Sequence, residues 1–104
     1  MTAIAGTWEL KLKTPIGTLP ASYTFVETAD GVTGTATADG ETVPLTGITT
    51  QTTPDGERVG WRQAVTRPMR LNLDFDVTAC GDELTGHSRA GRLPRTEVTG
   101  HRSG

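Results

Sequence analysis

The stretch from Met69 to Gly86 reads MRLNLDFDVTACGDELTG. Met69, Leu71, Leu73, Phe75 and Val77 occupy every second position, and Arg70, Asn72, Asp74, Asp76 and Thr78 fill the positions between. One apolar and one polar face at period two is the pattern of a strand with one side in a core and the other in water. Ala79-Cys80-Gly81-Asp82 then supplies a turn, and Glu83-Leu84-Thr85-Gly86 begins a return strand. The stretch therefore predicts a β-hairpin.

The same alternation extends outward from it. Gly6 to Thr14 places Trp8, Leu10 and Leu12 on one face, until Pro15, Ile16 and Gly17 break the pattern. Leu19, Ala21, Tyr23 and Phe25 share a face of a second strand, closed by the turn Ala29-Asp30-Gly31. Val32 to Ala38 is a Thr-rich third strand with Gly34 in its middle, and Asp39-Gly40 signals another hairpin. A fourth strand is expected from about Glu41 to Thr49, carrying Val43, Leu45 and Ile48. Thr52-Thr53-Pro54-Asp55-Gly56 is the longest run of turn residues, and it falls at the midpoint of the chain.

After that midpoint the pattern restarts. Trp61 answers Trp8 (61 − 8 = 53), and Thr66-Arg67-Pro68 answers Thr14-Pro15. Phe75 answers Phe25 (75 − 25 = 50), Thr85-Gly86 answers Thr33-Gly34 (86 − 34 = 52), and Thr99-Gly100 answers Thr46-Gly47 (100 − 47 = 53). Two halves, about 6–50 and 58–102, are thus expected to descend from one four-stranded unit. Such a unit alone leaves two strand edges and a bare apolar face, and two units closing on each other remove both. The expected fold is all-β: an eight-stranded antiparallel up-and-down barrel, whose interior holds side chains or one small ligand. A two-sheet sandwich is the alternative. No window places apolar residues at i, i+3, i+4 and i+7, so no helix is expected.

Bulk properties narrow the function. At 104 residues the chain is one domain, and folding buries roughly 65% of the unfolded surface. A large internal cavity would take much of so small a core. The net charge of -2 gives no basic footprint for nucleic acid. Arg89, Arg92, Arg95 and Arg102 cluster late and read as a solvated rim rather than a phosphate site. A single cysteine, Cys80, excludes an intramolecular disulfide and a cysteine zinc cluster. Met1 to Ile4 shows no basic start or apolar signal core, and no apolar run reaches the length of a membrane span. A cytosolic protein is expected.

Gly6-Thr7-Trp8 at the opening of the first strand resembles the calycins, which comprise lipocalins, fatty-acid-binding proteins and avidins. The resemblance implies a calycin-like barrel in which Trp8 plugs one end and a basic residue from near the chain's end, Arg102 or His101, packs over it. Tyr23-Thr24-Phe25, Asp30-Gly31, Thr33-Gly34-Thr35, Leu45-Thr46-Gly47 and Gly60-Trp61 also look like the first half of avidin. The further tryptophans and polar residues with which avidins hold biotin have no counterparts, so biotin binding is not implied. Over almost its whole length the chain is similar to small bacterial barrel domains with a W…TP…G, DG…TG, GD…TG…TG plan. Trp8, Thr14-Pro15, Gly17, Asp30-Gly31, Thr33-Gly34, Gly81-Asp82, Thr85-Gly86 and Thr99-Gly100 carry that plan here. It implies a fold more than an activity.

Candidate chemistry is sparse. Trp8 and Trp61 read first as plugs or core. Tyr23 has a hydroxyl that needs a partner if it points inward, and it would orient a ligand or reach the rim. Asp74 and Asp76 share a face opposite Leu73 and Phe75, which puts them outside the barrel and away from general acid–base work. His87 and His101 lack a third metal ligand, and Cys80 lacks an adjacent base. No phosphate loop, catalytic triad or zinc motif is present, and no cofactor is expected.

Three functions follow. The first is a module holding an apolar or aromatic small molecule in its lumen, lined by Tyr23, Phe25, Trp61, Leu71, Leu73 and Phe75. The second is a cofactor-independent cyclase or isomerase acting by confinement. The third is a structural or assembly domain with a filled core. The first is preferred, with an apolar small molecule as partner, no nucleic acid or membrane, and homodimerisation left open.

Overall fold

In a computed structural model of the chain, the alternation around Phe75 forms the strand it predicts. Phe75, Val77 and Ala79 are buried on one side, while Asn72 and Asp74 are exposed on the other. Residues 4–14, 17–38, 40–65, 71–91 and 93–103 are described, with the side chains of Thr14, Val65 and Leu71 outside the description. Pro15, Ile16, Asp39 of the expected Asp39-Gly40 turn, Thr66-Arg67-Pro68, Met69, Arg70 and Arg92 therefore lie outside the described residues.

The strands are β1 (Gly6–Thr14), β2 (Gly17–Thr28), β3 (Gly31–Ala38), β4 (Glu41–Pro44), β5 (Thr46–Thr53), β6 (Gly56–Val65), β7 (Leu71–Cys80), β8 (Glu83–Ala90) and β9 (Thr96–Arg102). They form one antiparallel sheet in the order β4-β3-β2-β1-β9-β8-β7-β6-β5. Chain neighbours pair except β4 and β5, which form the two ends of the sheet; β9 returns to β1, and the sheet curls into a nearly closed barrel. A single sheet replaces the sandwich alternative.

Nine strands stand where eight were expected, because the fourth breaks at Leu45. Pro44 has no N–H to continue a ladder. Leu45 turns inward to 8% exposure, and its N–H donates to the Gly34 carbonyl at 2.9 Å. Gly47 then takes a left-handed φ of 60°, and the β5–β6 register slips between Thr46 and Thr49, a bulge that re-aims the strand. The first half pairs with β3 and the second with β6. β5 also runs on to Thr53, so the expected five-residue turn contracts to Pro54-Asp55.

The hairpin after β7 is tighter than expected as well. Ala79 and Cys80 belong to the strand, and the turn is Gly81-Asp82, with Gly81 at φ 61°. Ala79 continues the inward phase of Phe75 and Val77 and is fully buried, which outweighs its weak strand preference.

The inward faces bring Ile4, Trp8, Leu10, Tyr23, Phe25, Val59, Trp61, Phe75, Val77, Leu84 and Val98 into one core. At one end lie the N-terminal residues with the turns 29–30, 54–55 and 81–82. At the other lie the last residues of β1, β3, β6 and β8. Alternating hairpins of an up-and-down sheet dictate this division.

Candidate functional site

The first end of the barrel is closed. Trp8 is fully buried, and its Nε1 donates to the Ile4 carbonyl at 2.9 Å. The Arg102 guanidinium lies over the Trp8 ring, 4.4 Å from its centroid, where the resemblance led us to expect a basic residue. The Ile4 N–H donates to the Glu57 carboxylate at 3.1 Å, so a buried acid also seals this end.

The middle of the lumen is filled by the residues proposed to line it. Trp61 stacks on Phe75 at 4.8 Å between centroids, and Phe25 meets Trp61 edge-on at 5.3 Å. Tyr23 touches all three, at 6.4 Å from Phe25, 5.6 Å from Trp61 and 6.0 Å from Phe75. The second-strand aromatics therefore meet across the axis instead of leaving a gap between them. Each ring is 3% exposed or less. Four of the six candidate residues thus form one packed cluster; Leu73 lies at its upper margin, and the Leu71 side chain is outside the described residues.

Above this cluster the wall changes character. The Tyr23 hydroxyl donates to Gln63 Oε1 at 2.8 Å, and both side chains are buried. Burial pushes the Tyr23 phenol well above its ordinary pKa, with the Gln63 hydrogen bond opposing in part. Tyr23 is therefore a neutral hydrogen-bonding group and not a base. Among the described residues the Gln63 amide nitrogen has no partner, so the pair keeps donors in reserve.

Toward the end opposite Trp8 the inward positions are leucines. Leu12 ladders with Leu19, and Leu73 sits between Gln63 and Ala90. Leu12 and Leu73 are half-buried, and Leu19 is 48% exposed although it shares the inward phase of Ala21 and Tyr23. Leu93 is 55% exposed in the connection after β8, where Arg89 Nε donates to its carbonyl at 3.1 Å. The arrangement places partly exposed leucines above a buried polar pair.

Gln63, Glu57 and Ser88 are the buried polar residues that sequence reasoning passed over. The signal was present: Glu57, Val59, Trp61 and Gln63 alternate, so both polar residues share the inward phase of Trp61.

The outer face is chemically spent. Asp76 accepts from Arg58 Nε at 2.9 Å and from Nη2, and Asp74 pairs with Arg62 at 3.4 Å. The hydrogen-bonded Arg58 guanidinium holds the Asp76 carboxyl below its ordinary range, against a smaller opposing effect of partial burial. A shallow cavity of about 310 Å³ there is lined by Thr49, Arg58, Gly60 and Asp76, whose charges already satisfy each other. His87 ladders opposite Asp76, His101 and Cys80 are exposed, and the described residues hold no group of three metal-ligating side chains. Among the described residues no helix is long and apolar enough to cross a membrane. Set against protein-family models, curated proteins and solved structures, the chain matches none of them.

Proposed function

We propose that the protein binds an apolar small molecule in a mouth at the end of a calycin-like barrel opposite Trp8, with the aromatic cluster as floor. The observation that carries this is the Tyr23–Gln63 hydrogen bond set beneath partly exposed leucines 12, 19 and 73. Apolar walls with one or two convergent polar groups are the usual make-up of a small-molecule site. Filling of the lower lumen moves the ligand from among the rings to above them. Arg102 over Trp8 supports the calycin-like reading of the closed end.

The same reading takes the halves as copies of one unit. Trp8 ladders with Tyr23 as Trp61 does with Phe75, and Phe25 ladders with Gly34 as Val77 does with Gly86. These partners stand 53 apart at the tryptophans (61 − 8) and 52 apart at the rest (75 − 23, 77 − 25, 86 − 34). Tyr23, and not Phe25, is thus the counterpart of Phe75.

The test is a thermal-shift and fluorescence titration with the neutral fluorophore N-phenyl-1-naphthylamine and a panel of polycyclic compounds. Wild type should be stabilised in a ligand-dependent way, as binding to the folded state alone requires. Leu73→Trp should fill the mouth and abolish that stabilisation with the fold intact. A second reading, a scaffold with a filled core, is favoured by the interlocking of the four rings. No stabilisation by any compound, with Leu73→Trp destabilised by about 1–3 kcal/mol from overpacking, would establish it instead.

A further inference from the structure

The barrel wall is open along one seam. β3 pairs with β4 only through Thr35–Ala38, and β5 pairs only with β6. The Leu45 N–H to Gly34 carbonyl bond crosses the seam at its upper end. Below it, residues 31–33 and β5 face one another with no ladder between them among the described residues. A cavity of about 380 Å³ occupies this gap, bounded by Glu27, Thr28, Ala29, Gly31, Val32, Ile48 and Thr50.

Burial shows the opening independently. Thr50 and Thr52 ladder opposite Val59 and Glu57, both buried and inward-facing, so the two threonines face inward as well. Both are nevertheless exposed. An inward-facing residue in a closed wall would be covered by its neighbouring strand. Here that neighbour is missing.

The two ends of the sheet are also unlike. β4 is four residues long and carries Glu41 and Pro44, a charge and a proline of the kind that blunts an edge. β5 is eight residues long, TGITTQTT, with neither charge nor proline. A long, uncharged, Thr-rich edge is a template for another strand.

We propose that this seam is a docking slot for an extended peptide segment without acidic side chains, which enters as an additional strand between β3 and β5. Unpaired backbone on two facing edges calls for an occupant with alternating N–H and C=O groups on both of its own edges, and an extended backbone supplies them. Thr28, Val32, Ile48 and Thr50 give the slot mostly β-branched walls and Glu27 gives it one negative charge, so the inward positions of the segment are small or β-branched residues and not acidic ones. The slot is lateral and distinct from the mouth.

The probe is a fluorescein-labelled octapeptide of alternating threonine and valine, read by anisotropy. A control peptide is N-methylated at alternate residues so that one edge has no donors. Wild type should bind the first saturably, and the control about tenfold more weakly or worse, which corresponds to roughly 1.4 kcal/mol of lost backbone hydrogen bonding. Thr50→Lys should weaken binding comparably while leaving the circular dichroism spectrum and melting curve unchanged. If Thr50→Lys fails to fold, hydrogen exchange on wild type decides: the peptide should slow exchange in residues 31–33 and 46–53. Equal binding of both peptides, protection at the mouth instead, or no saturable binding overturns the proposal. Protection of β5 that rises with protein concentration and without peptide also overturns it, and assigns the edge to a second copy of the chain.

Discussion

Arg102 and Trp8 join the two ends of the chain: the guanidinium carbon of Arg102 lies 4.4 Å from the centroid of the Trp8 ring. Arg102 Nη1 also donates to the Ala5 carbonyl at 2.6 Å, and Nε donates to Asp82 at 3.2 Å. One side chain thus spans the residues before β1, the β7–β8 turn and β9. A cation over a partly desolvated indole contributes roughly 0.5–2 kcal/mol, and hydrogen bonds from a charged donor add to it.

Arg102→Met, which keeps the stem over the ring, is therefore expected to cost about 1–3 kcal/mol in urea unfolding. Arg102→Lys should recover little, because an ammonium lacks the planar fork that reaches several partners at once. In a Trp61→Phe background the indole emission reports Trp8 alone and should shift to the red in Arg102→Met.

Phe75 and Asp74 test which face of β7 looks inward. Phe75 is 3% exposed against Trp61 and Tyr23, so Phe75→Ala should cost about 3–5 kcal/mol. Asp74, exposed and paired loosely with Arg62, should lose about 0.5 kcal/mol or less on change to Asn. The midpoint shift in urea measures both, and the reverse order would overturn the assigned faces.

The period-two runs made the faces of β1, β2 and β7 legible, because a half-buried strand has to alternate. The break at Leu45 was harder to see. Val43, Leu45 and Ile48 look like one strand, and only the combination of Pro44 with a left-handed Gly47 shows that the strand changes partner. Composition groups Arg102 with a solvated rim, whereas its guanidinium lies over Trp8. Of the candidate site, the aromatic residues were legible and their mutual contact was not. Whether inward rings enclose a space or fill it depends on how close opposite walls come, and alternation carries no such distance. Gln63 illustrates the same limit: its inward phase is local, but its bond to Tyr23 joins residues 40 apart.

Gly34 ladders opposite Phe25 and Gly86 opposite Val77, yet replacement should act differently. A Cβ on Gly34 would lie 3.0 Å from Leu45 Cδ1 and Phe25 Cδ1, side-chain atoms that can shift. On Gly86 it would lie within hard contact of the Asp76 carbonyl oxygen and Val77 Cα, which belong to the neighbouring backbone. Gly34→Ala should cost about 1–2 kcal/mol and Gly86→Ala about 3 kcal/mol or more. Thermal unfolding of the two variants tests the order.

Asp76 gives a pH signature on the acid side. Arg58 depresses its folded pKa, so its contribution is present above the ordinary carboxylate value of about 4 and is lost as pH falls through the depressed value. The pair is substantially exposed, with 34% of the Asp76 side chain accessible, and the contribution is about 0.5 kcal/mol. Below about pH 4 the stability difference between wild type and Asp76→Asn should shrink toward zero. A constant difference down to pH 2 in urea titrations would be incompatible with this pairing.

Tyr23 gives the complementary signature on the alkaline side. It is the single tyrosine, so ultraviolet difference absorbance follows its ionisation alone. Burial raises its folded pKa above the ordinary value of about 10, since a phenolate there would lose its hydration for one amide partner. The folded state then holds the proton more tightly than the unfolded chain. Its stabilising contribution is complete below about pH 10 and declines as pH rises from there toward the folded value. Native protein should therefore show no phenolate signal at pH 10 to 11, and the signal should appear only as the protein unfolds. Gln63→Leu separates the two causes. Removing the hydrogen bond leaves the hydroxyl without its acceptor, at a cost of about 1–3 kcal/mol, while burial alone still keeps the pKa raised. A smooth titration of folded wild type near pH 10 would mean that the hydroxyl reaches water, and would place the floor of the proposed site below Tyr23.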